Sequence, residues 1–178
     1  MALVILSVIL GLMLAEARVA RRNDTQLRAR GAVEPAGDVY RAMSVLYPAC
    51  FVAMGLEGYW RARTGRFGGT VLLPQALLLS GGLLFVASKA LKYWAIRTLG
   101  DRWSFRVLVL PRVTLITGGP YRYVAHPNYV AVVGELAGTA IMMSAWVSGP
   151  IALVTFGAAL WMRIRVEERA LRQSRLTT

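Results

Sequence analysis

Two short stretches carry most of the side chains able to do chemistry. The first runs from Tyr121 to Tyr129 and holds the chain's one histidine, His126, followed by Pro127; the second is Arg163-Ile164-Arg165-Val166-Glu167-Glu168. Pro127 suits the first turn of a helix, where its missing N–H costs nothing, and it pushes His126 toward extended backbone. His126 then stands at a helix N-terminus, whose unpaired amides and partial positive charge suit a carboxylate or another anion. Arg163 and Glu167 lie four apart on one helical face, and Glu168 and Arg172 repeat that spacing on an adjacent one. Each feature has a plainer account: a lone histidine can simply flank a helix, and an Arg/Glu run can be a solvated, salt-bridged helix end. One histidine with one cysteine, Cys50 in an apolar run, is a poor basis for a metal site and offers no intramolecular disulfide. No metal is therefore expected, and Cys50 reads as a small buried hydrophobe.

The elements that must position these residues are apolar. The 178 residues are 56% hydrophobic, with a mean hydropathy of +0.50, against about 45–50% for ordinary soluble domains. The expected fold is all-α: one polytopic integral membrane domain, 1–178, with about five transmembrane helices. The spans are read roughly as 2–20, 39–60, 72–96, 128–147 and 150–165. The first is long enough for a bilayer, and its lack of a basic start argues against a cleaved signal at Ala15-Glu16-Ala17. A four-span version follows if that first segment lies in the interface. Lys89 and Lys92 read as snorkelling residues at the end of span 3. A polar connector with Gly31 and Pro35 occupies 18–38, a basic turn Arg61 to Gly69, and a tight turn Ser148-Gly149-Pro150. Between spans 3 and 4, residues 97–127 form a mixed polar and aromatic loop, with β-branched alternation from Phe105 to Leu110; loops of that length usually exist for function.

The formal charge of +12 would suggest nucleic acid in a soluble protein, but the basic residues sit between apolar runs and form no face. They read as membrane-flanking charges. Assigned alternately, the connectors carry eighteen Lys or Arg on one side (six in 18–41, seven in 89–127, five in the tail) against three on the other. That bias places the long loop and the C-terminus in the cytoplasm and the N-terminus outside, as in a bacterial inner membrane protein. Because a short turn joins spans 4 and 5, their cytoplasmic ends should be neighbours, so that His126 and Glu167 share one pocket. Glu16, Glu57 and Glu135 are costly facing lipid: they are either functional, near an interface, or paired with arginines across helices. Trp60, Tyr93, Trp94 and Trp103 near span ends read as interfacial belt or packing residues.

The two motifs also resemble the isoprenylcysteine carboxyl methyltransferase family of integral membrane enzymes. The resemblance rests on Gly119-Pro120-Tyr121-Arg122-Tyr123, His126-Pro127-Asn128-Tyr129 and Arg163 to Glu168, and continues upstream through Lys92 to Gly100 and Arg30 to Glu34. It is most similar to the bacterial branch that O-methylates long-chain alkylpyrones and alkylresorcinols. Ala125 departs from the arginine common before His-Pro in the family, so any contact of that arginine is absent or comes from elsewhere, for example Arg122. The resemblance implies S-adenosylmethionine as cofactor, in a cytoplasmic pocket at the ends of the last two spans. It puts Tyr121, Arg122, His126, Pro127 and Tyr129 around the cofactor, with Glu167 close to it or to the acceptor. Arg163 is then a candidate for orienting the substrate oxygen. No strand leads into a Gly-x-Gly-x-x-Gly helix start, so the dinucleotide-type site of soluble enzymes is not available.

Methyl transfer from a sulfonium needs no metal and is driven mainly by positioning and exclusion of water. A carboxylate acceptor is already ionised near pH 7, whereas a phenol, with a reference pKa of about 10, needs a base. Glu167 is preferred over His126 for that role. The expected partners are membrane lipids and a lipophilic or lipidated acceptor: a phenol or pyrone, an isoprenylcysteine carboxylate, or a phospholipid amine. Competing readings are an NADPH-dependent enzyme resembling sterol reductases, which share an aromatic His-Pro-x-Tyr pattern, and a non-enzymatic membrane scaffold or transporter component.

Overall fold

The computed structural model describes residues 2–65, 72–111 and 113–176. Five helices account for most of them: α1 (Ala2–Ala29), α2 (Tyr40–Arg63), α3 (Leu72–Leu99), α4 (Pro127–Met142) and α5 (Ser148–Leu176). The architecture is all-helical, with no strand among the described residues. The alternation from Phe105 to Leu110 yields only one antiparallel bridge, in which Val33 and Val109 exchange two N–H···O bonds of 3.0 Å. Of the basic turn expected from Arg61 to Gly69, the part through Gly65 lies within the described residues. Among the described residues, three helices are long and apolar enough to cross a membrane: α1, α3 over Gln75–Arg102 with its following turn, and α5 over Ser148–Arg172. The chain is an integral membrane protein of at least that character. In α2 the sequence Tyr40-Arg41 and Glu57 to Arg63 dilutes the apolar run. At 16 residues α4 is only about 24 Å long, short of a hydrocarbon core of about 30 Å.

Helix ends differ from the sequence expectation for identifiable reasons. Instead of stopping near residue 20, α1 runs on to Ala29, because 21–29 contains no Gly or Pro and buries Asn23 and Leu27 on one face. Gly31, at φ +83°, then turns the chain. Instead of reaching 147, α4 ends in a left-handed cap at Ser144 (φ 51°). The Ala145 amide returns to the Ala140 carbonyl at 2.8 Å and the Ser144 amide to Ile141 at 3.0 Å, a Schellman closure. Ser148-Gly149-Pro150 accordingly begins α5 rather than forming the turn. Glu57 of α2 makes that start possible, accepting from the Val147 amide (3.2 Å), the Ser148 amide (2.7 Å) and the Ser148 hydroxyl (2.6 Å), with Arg61 closing the pair at 2.9 Å. The Glu57→Ala variant is expected to lose about 1–2 kcal/mol of stability, read as a lower melting temperature in detergent.

α3 and α4 pack as the tightest pair, antiparallel, with backbones in direct contact. A Cβ built on Gly81 would sit 2.4 Å from the Met142 nitrogen, and one on Gly138 would sit 2.7 Å from the Phe85 nitrogen. Only glycine permits this approach, the small-residue packing that substitutes for a hydrophobic driving force between helices in lipid. The core between α1, α2, α4 and α5 is built from Ile9, Phe51, Met54, Leu136, Phe156 and Leu160, and Cys50 is buried with them. Tyr47 meets Phe51 edge-on at 4.9 Å and Phe156 at the same distance. Trp60 and Trp94 are exposed on the helix surfaces, whereas Trp103 is fully buried and so belongs to the packing rather than to an interfacial belt.

Lys89 and Lys92 depart from expectation too. Neither snorkels: both are buried and pair with Glu16 of α1 and Glu135 of α4. Lys89 Nζ lies 2.6 Å from Glu16 and 3.0 Å from Glu135; Lys92 Nζ lies 2.7 Å and 3.2 Å from the same two residues. Tyr47 donates to Glu135 at 2.8 Å. The acids in the apolar runs are thus paired, Glu16 and Glu135 with lysines across helices, Glu57 with Arg61 on its own helix.

Candidate active site

Tyr129, in the first turn of α4, joins the two sequence motifs. The helix start is as its sequence dictates: Pro127 opens it, and the His126 carbonyl accepts from the Tyr129 and Val130 amides at 3.1 and 3.2 Å. The Tyr129 hydroxyl donates to Glu167 and accepts from Arg163 Nε at 2.9 Å. Arg163 and Glu167, one turn apart on α5, therefore meet through a tyrosine rather than pairing directly. His126 stacks on the Tyr129 ring, with centroids 5.3 Å apart and planes 13° from parallel, and its Nε2 lies 3.7 Å from Glu168.

Arg163 ties three segments together. Besides Tyr129, it donates from Nη1 to Asp38 at 3.1 Å and from Nη2 to the Phe105 carbonyl. Asp38, just before α2, also accepts from the Tyr40 amide at 3.1 Å and the Val107 amide at 2.9 Å. The loop after α3 is fastened to the α1–α2 connector a second time through Arg106, which reaches Glu34 at 2.8 Å and Asp24 at 3.6 Å, while Arg28 also pairs with Glu34. Burial pushes the Glu34 carboxyl up, but hydrogen bonds from Arg28 and Arg106 outweigh it and hold the group below its ordinary range. Glu34 is therefore ionised at neutral pH. Asn23 of α1 donates to the carbonyls of Gly100 (3.2 Å) and Trp103 (2.8 Å), fixing the start of the same loop.

Tyr121 comes from a short 3-10 turn over Gly119–Arg122. Gly119 sits at φ +56°, and a Cβ there would lie 2.4 Å from the Thr98 hydroxyl, so this glycine is required to lay the turn against the end of α3. Burial, with the Glu167 charge adding to it, pushes the Tyr121 phenol well above its ordinary value; it is a neutral hydrogen-bonding group at physiological pH.

A cavity of about 1010 Å³ opens among these residues, at the top of the usual range for ligand pockets of about 300–1,000 Å³. Tyr121, Ala125, His126, Asn128, Tyr129, Arg163 and Glu167 line its mouth. Its other lining residues come from α1, α2, α3, α5 and the loop after α3, and include Trp103, Phe105, Glu16, Tyr47 and Lys92 as well as the apolar Leu10, Met13 and Leu14. Of the residues expected around a cofactor, Tyr121, His126, Tyr129 and Glu167 share this cavity. Pro127 is buried at the helix start beneath it, and Arg122 is exposed and takes no part in the lining. Two buried polar atoms on the wall, Asn128 Oδ1 and Trp103 Nε1, have no hydrogen-bond partner among the described residues. Buried polar atoms left unpaired cost about 1–3 kcal/mol each, and a polar ligand would satisfy them.

A model of the isoprenylcysteine carboxyl methyltransferase (ICMT) family matches residues 81–173, from the glycine contact on α3 to the far side of the Arg163–Glu168 motif. The chain belongs to this family. Membership in the ICMT family indicates a membrane methyltransferase. The chain is also 28% identical over 163 residues to the uncharacterized protein YpbQ of Bacillus subtilis (strain 168), covering 89% of each chain. With an uncharacterized protein of Haemophilus influenzae (strain ATCC 51907 / DSM 11121 / KW20 / Rd) it shares 23% identity over 154 residues, or 86% of this chain and 84% of the other.

Several residues of the site carry little or no signal in the sequence. Asp38 sits in a polar connector with no periodicity to mark it. Asn128 belongs to the His-Pro motif, but its type and spacing assign it no role, and Trp103 has the placement of a belt residue. Glu16 and Glu135 do carry a signal, as acids inside apolar runs, yet their lysine partners resemble ordinary flanking charges.

Proposed function

We propose that the protein transfers a methyl group from S-adenosylmethionine to an oxygen of a long-chain acceptor held in the membrane. The observation that carries the reading is one continuous cavity, which gathers His126, Tyr129, Arg163 and Glu167 and is lined elsewhere by apolar side chains such as Leu10, Met13, Phe156 and Leu160 beside the buried charges Glu16 and Lys92. The fit to this cofactor is good: aromatic faces at Tyr121, Phe105 and Tyr129 suit an adenine, and the unpaired Asn128 Oδ1 can accept from an amino group. A carboxylate and a π-face lie beside one another to complement a sulfonium. When bound, S-adenosylmethionine supplies a methyl group carried on a positive sulfur.

The chain's own residues then orient and deprotonate. Tyr129 fixes the Glu167 carboxylate by donating to it, and Arg163 fixes Tyr129 in turn, so that Glu167 is held at one position at the mouth. For a phenol or enol acceptor, Glu167 takes the proton as oxygen attacks carbon; for a carboxylate acceptor no base is needed. An acceptor with a long apolar tail is favoured because Leu10, Met13 and Leu14 of α1 line the same cavity. With Lys89 and Lys92 removed from the flanking count, sixteen basic residues against three still support a reading with five crossings, a cytoplasmic site and the N-terminus outside.

The test is methyl transfer from labelled S-adenosylmethionine by protein purified in detergent, with alkylresorcinol, alkylpyrone, prenylcysteine and phosphatidylethanolamine compared as acceptors. Label in none of them, together with no cofactor binding, refutes the proposal. A Glu167→Gln variant is expected to bind the cofactor but to methylate a phenol about 10²-fold or more slowly. Full turnover by that variant removes Glu167 from the role of base.

A further inference from the structure

A second cavity, of about 500 Å³, lies between α1 and α3. Ala15 and Val19 line it from α1, and Tyr93, Ile96 and Arg97 from α3; Glu16 and Trp103 are shared with the active cavity. Both helices are long and apolar enough to cross a membrane. Val19 is 46% exposed and Tyr93 39%, so this is a groove in the outer face of the protein, open to whatever surrounds the two helices.

The groove has a basic end. α1 and α3 run in the same direction here: Glu16 meets Lys89 and Lys92, and seven residues further along α1 Asn23 meets Gly100 and Trp103. Arg22 follows Ala15 and Val19 on one face of α1, at spacings of seven and three, and Arg97 follows Tyr93 by one turn of α3. Helical side chains lean toward the N-terminus, so the stems of both arginines lean back toward the groove. Both are exposed, and among the described residues neither is paired with an acid. The acids nearest to them in the chain are engaged elsewhere: Glu16 by the two lysines, Asp24 by Arg106, and Asp101, one turn beyond Arg97, by Arg30. The Tyr93 hydroxyl also has no hydrogen-bond partner among the described residues.

Two guanidinium groups without counterions, at the end of an apolar groove between membrane helices, match one chemistry. A guanidinium binds phosphate through two parallel N–H donors, and basic pockets between helices near the membrane surface take acidic lipid headgroups. A zwitterionic headgroup brings its own ammonium, which the arginines repel; an anionic one brings the charge they lack.

We infer that the groove between α1 and α3 is a binding site for one anionic phospholipid, its phosphate held by Arg22 and Arg97 and an acyl chain lying along Ala15, Val19 and Ile96. The Tyr93 hydroxyl donates to the same phosphate or to a glycerol ester. The lipid fills the space between two helices that the long side chains of Lys89 and Lys92 bridge to Glu16, and it lies against the wall shared with the active cavity. This site is separate from the methyltransferase reading and stands or falls without it.

The experiment offers delipidated protein in detergent an equimolar mixture of phosphatidylglycerol and phosphatidylcholine with the same acyl chains, and reads the retained lipid by native mass spectrometry. The unmodified protein is expected to retain one phosphatidylglycerol in preference to phosphatidylcholine by roughly ten- to thirtyfold. Arg22→Gln/Arg97→Gln is expected to bring that ratio near one. Arg41→Gln/Arg169→Gln, which removes the same charge from exposed positions on α2 and α5, is expected to keep it. Val19→Trp, which fills the groove and leaves both arginines in place, is expected to weaken retention of phosphatidylglycerol several-fold, and it serves if the groove double variant does not fold. Equal retention of the two lipids by the unmodified protein overturns the inference, as does an unchanged preference in a folded groove variant. Loss of the preference in Arg41→Gln/Arg169→Gln to the same extent also overturns it, because the attraction then belongs to the basic surface as a whole.

Discussion

Replacing Arg163 with glutamine is expected to abolish methyl transfer and to lower the melting temperature by roughly 10 °C. The guanidinium donates to acceptors from three separate elements: the Tyr129 hydroxyl on α4, Asp38 before α2 and the Phe105 carbonyl after α3. Its loss leaves Asp38 as an uncompensated carboxylate in a buried site, a penalty of about 3–5 kcal/mol where one partner of a buried pair is removed. It also frees Tyr129, and with it the hydroxyl that fixes Glu167. Arg163→Lys separates the two consequences. Lysine restores charge near Asp38 but cannot direct three N–H groups to three elements, so stability is expected to recover in part and turnover to stay at least about 10²-fold down. Melting curves and labelled methyl transfer on the two variants decide it: wild-type activity in Arg163→Lys means that the clamp is electrostatic and positions nothing.

The largest structural effect is expected at Gly138. Its α-hydrogen faces the backbone of α3, and the Cβ of an alanine would lie 2.7 Å from the Phe85 nitrogen and 2.8 Å from the Gly81 carbonyl oxygen. Both neighbours are main chain, which no rotamer change can move aside. Gly138→Ala must therefore push α3 from α4, and overpacking of this kind costs about 1–3 kcal/mol or more. The shift disturbs the buried charges as well, because Lys89 and Lys92 ride on α3 and their partner Glu135 lies about one turn from Gly138. Yield and monodispersity of detergent-solubilised protein are expected to fall sharply for Gly138→Ala. Gly11→Ala and Gly157→Ala, which meet nothing within 4 Å, are expected to behave as the unmodified protein. Equal behaviour of all three would mean that the α3–α4 contact is not close in solution.

Much of this arrangement is legible in the residue order alone. Pro127 sets the start of α4 and the backbone of His126, since its ring geometry acts locally. Five apolar runs mark five helices, and the end of α5 meets the start of α4 as the short connection requires. Helix length is less legible. Nothing local stops α1 at residue 20, and what decides is that Asn23 and Leu27 find burial, Asn23 against a loop 80 residues away. The start of α5 is hidden for a related reason: Ser-Gly-Pro is turn-like by composition, whereas a carboxylate on α2 satisfies the amides that open a helix there. The lysines show the same limit from the other side. A lysine near the end of an apolar run looks identical whether it reaches for water or for a glutamate, and only the packing of α1, α3 and α4 tells the two apart.

The charge quartet also has a consequence for biogenesis. Its acids and bases lie on helices that leave the ribosome in the order α1, α3, α4, and a charge at the centre of a helix costs about 2.5–3.5 kcal/mol to insert. Glu16 must therefore wait, unpaired in α1, until the synthesis of α3 delivers Lys89 and Lys92; those two await Glu135 for full neutrality. Neutralisation of α1 and of α3 is thus each completed by a helix that follows, and the segment matched by the ICMT family, 81–173, would enter a bilayer by itself carrying two lysines and one of their two glutamates. The first helix is in this sense no accessory to that segment but the source of the counterion that lets it settle in a membrane.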